Sequence, residues 1–101
     1  MSHKDFLLLK QWLADVGCVV FYLEHPFLGR PGDNQFEFLD ATLQGDMGVF
    51  NFSNNLQIEI FKPSKLNILQ SYIELQSIEI LRLNWRGNIV EFHDTSLRID
   101  Q

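Results

Sequence analysis

Cysteine occurs once in this chain, at Cys18, so no internal disulfide can form and the fold has to hold by packing alone. The six glycines are isolated at turn-like positions, which excludes a glycine-rich phosphate loop. His3, His25 and His93 stand far apart without paired spacing and supply no metal-ligand set. Apolar runs are short. Lys10, Gln11 and Asp15 interrupt the N-terminal stretch and charges are scattered after residue 24, so neither a signal-peptide core nor a membrane span is expected. A reducing, cytoplasmic setting is the expectation. Internal repeats and low-complexity stretches are absent as well.

Bases are missing where acids are concentrated. Between Arg30 and Lys62 there is no Lys or Arg, yet Asp33, Glu37, Asp40, Asp46 and Glu59 lie there. The flanks balance, so this middle third carries the whole formal net charge of −5. Such a field attracts a basic partner and opposes nucleic-acid phosphate.

What the chain does have is apolar content, 46% with nine Phe, two Trp and two Tyr. At 101 residues that suits one ordered domain, residues 1–101, with a single core. Phe6, Leu9, Leu13 and Val16 recur at helical spacing over residues 3–16, with Leu8 and Trp12 widening the stripe. Ser2 followed by Asp5 is a weak capping box, and Gly17 suits the left-handed position after the helix. From Cys18 onward the pattern is that of strands, near 18–24, 35–43, 48–53, 56–62, 66–75 with room for a break, 78–85 and 88–93.

Turn chemistry sets some registers. A three-residue loop at Ser53-Asn54-Asn55 places Phe52 opposite Leu56 and Phe50 opposite Ile58. A two-residue turn at Arg86-Gly87 places Leu83 opposite Val90, Leu81 opposite Phe92 and Arg82 opposite Glu91. The apolar series through Ile73, Leu75, Ile78, Ile80, Leu81 and Leu83 changes phase twice, which predicts a bulge near Gln76-Ser77 and burial on both sides near Ile80. The fold class expected is α+β: an N-terminal helix packed on a curled antiparallel β-sheet of five to seven strands, connected as a meander. One helix covers one face, leaving the other, or a sheet edge, for a partner or a second copy.

The candidate contact residues are Phe27, Leu28, Asp33, Glu37, Asp40, Asp46 and Glu59. Phe27 and Leu28 fall in the longest irregular stretch, residues 25–34, and either tuck over the core or anchor a partner. Glu37 alternates with Phe36 and Phe38 and should face solvent, Asp40 falls on the Phe36 and Phe38 side, and Glu59 should project as Glu37 does. With Asp33 and Asp46 in turns, the carboxylates either gather into one acidic surface or stay scattered.

Other reactive residues read as structural. His93-Asp94 has no identifiable nucleophile and reads as a surface His beside a turn Asp. Cys18 reads as a small buried hydrophobe, and Trp85 as core or core edge. No catalytic residue, cofactor or metal is expected.

Leu56-Gln-Ile-Glu-Ile-Phe-Lys-Pro63, Leu66-Asn-Ile68 and Ile78-Glu-Ile-Leu-Arg-Leu-Asn-Trp85 together resemble a strand-Pro-strand-strand-Trp pattern of small bacterial β-sheet proteins. Phe92-His93-Asp94-Thr-Ser-Leu97 is similar to a Phe-His-Asp element in some immunity proteins of bacterial toxin systems, although there it stands on an early strand. The resemblance implies a small acidic protein that neutralises a basic toxin domain by binding it, and it transfers no site residue. Three classes of function therefore stand: a non-enzymatic binding module with a basic protein partner, a self-associating subunit that dimerises through its sheet, and a small-molecule-binding or enzymatic domain built in the sheet's concavity.

Overall fold

Helix α1 (His3–Val16) forms where the apolar spacing predicts it. The Ser2 hydroxyl oxygen accepts the Asp5 N–H at 3.1 Å. Gly17, at φ 76°, ends the helix by donating its N–H to the Leu13 carbonyl. The computed structural model describes residues 1–23 and 33–101. Among the described residues seven strands follow the helix: β1 (Cys18–Leu23), β2 (Phe36–Gln44), β3 (Met47–Phe52), β4 (Leu56–Phe61), β5 (Lys65–Ile68), β6 (Tyr72–Trp85) and β7 (Asn88–Asp100).

All pairings are antiparallel, in the order β4-β3-β2-β1-β7-β6-β5, with a further pairing of β4 to β6. That extra pairing closes every strand but β5 into a ring. The α+β class therefore holds, but the links are not those of a simple meander. β4 takes β6 rather than β5 as its second neighbour, and β1 lies between β2 and β7. The reason is local to Lys62-Pro63. Lys62 adopts φ 50° and Pro63 has no N–H for a ladder, so the chain leaves the ring after Phe61. It re-enters as β6, which is long enough to hold β5 along residues 73–76 and β4 along residues 80–84.

Both expected hairpin registers form. Phe52 faces Leu56 and Phe50 faces Ile58, with Asn54 and Asn55 both left-handed. Arg86 (φ 53°) and Gly87 (φ 79°) make the two-residue turn that sets Leu83 against Val90 and Arg82 against Glu91. The β6 bulge lies between Leu75 and Ile78, with Ser77 at φ 50°. A second change of face occurs at Asp94 (φ 51°). Thr95, Leu97 and Ile99 are buried beyond it, Val90 and Phe92 half-buried before it, and β7 runs on to Asp100. Asp94 is thus a kink within a strand, not a turn residue closing one.

Leu9 and Leu13, fully buried, share one interior space with Phe21, Phe50, Ile58 and Ile99, so the helix covers the ring's interior with one face. Phe6 stacks 5.6 Å from Phe50, and Phe21 meets Phe52 edge-on at 5.0 Å. Leu8, expected to widen the buried stripe, faces outward instead, because the ring admits only the Phe6, Leu9 and Leu13 side of the helix. The surfaces left open are therefore the outer wall of the ring and the outward face of the helix.

Candidate functional site

The outer wall of β2 departs from simple alternation at one point. Phe36 points in and Glu37 out, but the register shifts between Phe38 and Asp40, which face the consecutive residues Phe52 and Asn51. The extra residue is Leu39. Its insertion moves Asp40 off the Phe36 and Phe38 side, where alternation had placed it, and turns it outward, while Ala41 becomes buried and Leu43 half-buried. Leu39 itself stands out at 57% exposure between two outward carboxylates, Glu37 and Asp40.

Asp40 opens a rail of side-chain hydrogen bonds across the wall. Asn51 Nδ2 donates to Asp40 Oδ1 at 2.7 Å, and Gln57 Nε2 donates to Asn51 Oδ1 at 2.9 Å. Asn84 lies opposite Gln57 on β6. Leu39, Asn51, Asn55, Gln57 and Asn84 border a shallow depression of about 300 Å³. An exposed apolar side chain thus lies beside a rim of amides and carboxylates.

One row along, charge is cancelled instead. Arg82 Nη1 reaches Glu59 Oε2 at 2.7 Å and Arg82 Nη2 reaches Glu91 Oε1 at 2.9 Å. His93 Nε2 lies 3.2 Å from Glu91 Oε2. The hydrogen bond from Arg82, then that from His93, holds the Glu91 carboxyl below its ordinary range, and Glu91 followed by Glu59 raises the Arg82 guanidinium. Glu59 projects outward as expected, but its charge is answered by an arginine from the C-terminal third.

The structure thus sets Glu37, Asp40 and Glu59 on one wall and leaves the first two as its open charges. Asp33 and Asp46 lie apart, exposed at turns, with the Asp46 carbonyl accepting a hydrogen bond from the Met1 amine. Phe27 and Leu28 lie outside the described residues. At the end of the same stretch, Asn34 mimics a strand edge: its side chain accepts the Phe21 N–H at 3.1 Å and donates to the Phe21 carbonyl at 2.6 Å.

Three other expectations are decided here. Cys18 is exposed, not buried, because it is the first residue of β1 and shares its outward register position with Glu37. His93 is a surface residue and contacts Glu91 rather than Asp94. Trp85 is core, meeting Phe36 edge-on at 5.7 Å.

Leu39, Asn51, Gln57 and Asn84 are members of the wall not expected from the sequence, and Arg82, expected opposite Glu91, also reaches Glu59. The hairpin register already implies Asn51 opposite Gln57, whereas Asn84 and Arg82 arrive only through the long-range β4–β6 pairing.

Among the described residues, no group of three or more His, Cys, Asp or Glu side chains is placed to hold a metal ion, and no helix is long and apolar enough to cross a membrane. The fold defines an antiparallel β-ring of the α+β class with one helix packed on its interior. No protein-family model, curated protein or solved structure matches the chain.

Proposed function

We propose that this protein is a non-enzymatic, cytoplasmic binding module that takes a basic protein partner on the outer wall of β2, β3 and β4, in the manner of an immunity protein or inhibitor. The observation that carries the reading is Leu39, pushed out by a bulge between Glu37 and Asp40. The carboxylates steer a cationic surface inward and Leu39 supplies the dry contact at the centre. The amide rail then offers hydrogen bonds that fix orientation. Glu59, already bound to Arg82, contributes little to the attraction.

Capture from the source cells with the tagged protein, followed by mass spectrometry, tests the reading. One basic protein should be retained reproducibly, lost with Leu39→Arg and bound more slowly by the Glu37→Gln/Asp40→Asn pair. Its association rate should fall steeply between about 0.05 and 0.5 M salt. A partner that binds Leu39→Arg equally well, at a rate indifferent to salt, removes the proposal.

A second reading, self-association, is favoured by β5. It ends the strand order with only four residues, and its last residue Ile68 and the following Leu69 are 42% and 44% exposed. An edge of this kind can pair with its own copy. Light scattering at high concentration decides it: a strict monomer rejects this reading.

A further inference from the structure

The opposite side of the ring carries a groove that the acidic wall does not use. The bulge at Gln76-Ser77 spreads β6 from β7 and leaves a groove of about 510 Å³ on the outer face of β1, β7 and the first half of β6. In register across it stand Tyr22, Arg98 and Glu74. Tyr22 stands at the groove wall 56% exposed, with the Arg98 guanidinium 5.8 Å from its ring centroid on one side. Ser77, Ser96 and Gln76 complete the polar lining.

Arg98 is fixed before any ligand arrives. Its Nε and Nη2 donate to the two carboxylate oxygens of Asp100 at 2.6 and 3.1 Å, and its guanidinium lies over the Tyr72 ring at 3.9 Å. Nη1 and its two N–H groups point to no acceptor in that pair. The positive charge is already answered by Asp100, and Glu74 adds a further negative one, so among the described residues phosphate or carboxylate ligands meet no surplus cation. What remains is a mixed set of donors and acceptors: guanidinium N–H, carboxylate, amide and two hydroxyls. Vicinal hydroxyls of a neutral sugar ring, each both donor and acceptor, match that set, and the ring's C–H face matches an exposed tyrosine.

We infer that this groove binds a neutral saccharide ring stacked on Tyr22, with its hydroxyls held by Arg98 and Glu74. Arg98 and Asp100 pre-position the donors, and Ser77 and Ser96 reach the hydroxyls at the far end. No residue is shared with the Leu39 wall, so the two sites stand or fall separately.

The intact protein is first applied to an array of immobilised neutral glycans ending in glucose, galactose, mannose or N-acetylhexosamine, with sialylated and phosphorylated glycans alongside. Titration calorimetry with the free trisaccharide of the best-retained glycan then separates a free sugar from one that must be displayed. Tyr22→Ala should weaken binding about tenfold or more, Tyr22→Phe should keep it within about threefold, and Leu39→Arg should leave it unchanged. Both tyrosine variants alter an exposed side chain, and their unfolding midpoints report whether the fold is kept. Retention of no neutral glycan, equal binding by a folded Tyr22→Ala, or preference for the acidic glycans overturns the inference.

Discussion

Replacing Arg82 with Met exposes how much of the outer wall is held by charge. Arg82 bridges β4 and β7 through Glu59 at 2.7 Å and Glu91 at 2.9 Å, with the Glu59 side chain only 20% exposed and Arg82 itself 35%. A fully exposed pair contributes about 0.2–1 kcal/mol, whereas breaking a buried pair costs about 3–5 kcal/mol. The exposure of Arg82 keeps this pair near the surface end. We expect about 1–2 kcal/mol of destabilisation for Arg82→Met, which leaves two carboxylates without their cation, and less than 1 kcal/mol for Glu59→Gln. The coupling from the double-mutant cycle should be about 0.5–1 kcal/mol. Urea unfolding of the four proteins at about 0.05 and 0.5 M salt measures it, and the coupling should shrink at the higher salt as screening sets in. A coupling indistinguishable from zero at low salt would mean that the bridge contributes no net stability and that Glu59 is an open charge after all.

Glu91 gives the wall a pH signature. Its carboxyl sits below the ordinary value of 4.5 in the folded protein, so the stabilisation it lends is complete above that value and lost as pH falls through the lower folded one. Glu91→Gln should flatten the acid limb of the stability profile and leave the profile above about pH 5 parallel to that of the parent, as followed by thermal melts across pH. Gly48→Ala should cost about 1–3 kcal/mol, because an added Cβ would come within 2.7 Å of Phe50 Cε2 and 2.9 Å of Met1 Sδ, and chemical denaturation reads it directly. Cys18 should react with a thiol reagent such as Ellman's in the native state at the rate of an open thiol, and protection until denaturant is added would contradict its exposure.

Local chemistry was legible and closure was not. The helix ends follow from Ser2 and Gly17, the two hairpins from Asn54-Asn55 and Arg86-Gly87, and the β6 bulge from the changed apolar phase around Ser77. Each of these depends on residues a few positions apart. The β4–β6 pairing depends on Lys62-Pro63 expelling β5 from the ring, a competition between two possible neighbours that periodicity cannot rank. The run of β7 past His93 was masked by Asp94-Thr95-Ser96, which has turn composition, although Leu97 and Ile99 keep the alternation of a strand. At the candidate site, the outward facing of Glu37 and Glu59 follows from alternation alone. Asp40 escapes that rule because one inserted residue reverses parity, and the neutralisation of Glu59 escapes it because Arg82 comes from another part of the chain.

The bulge at Leu39 also allows the structural and binding roles of the wall to be separated by one deletion. Phe38 and Asp40 face Phe52 and Asn51, which are consecutive on β3, so Leu39 alone is surplus to the ladder. Removing it would leave Glu37 outward, Phe38 inward, Asp40 outward and Ala41 inward, the same facing that the bulge now produces. Every buried side chain of β2 keeps its place, and the strand loses only its irregularity and its exposed leucine. The protein lacking Leu39 should therefore fold with stability within about 1 kcal/mol of the parent by urea unfolding, while losing the partner captured by the intact chain. Unfolding of the deletion variant would show that the bend itself is needed to close the ring between β1 and β3. Undiminished capture by a stably folded variant would show that Leu39 is not the anchor, and the contact would then have to be sought on the carboxylates alone.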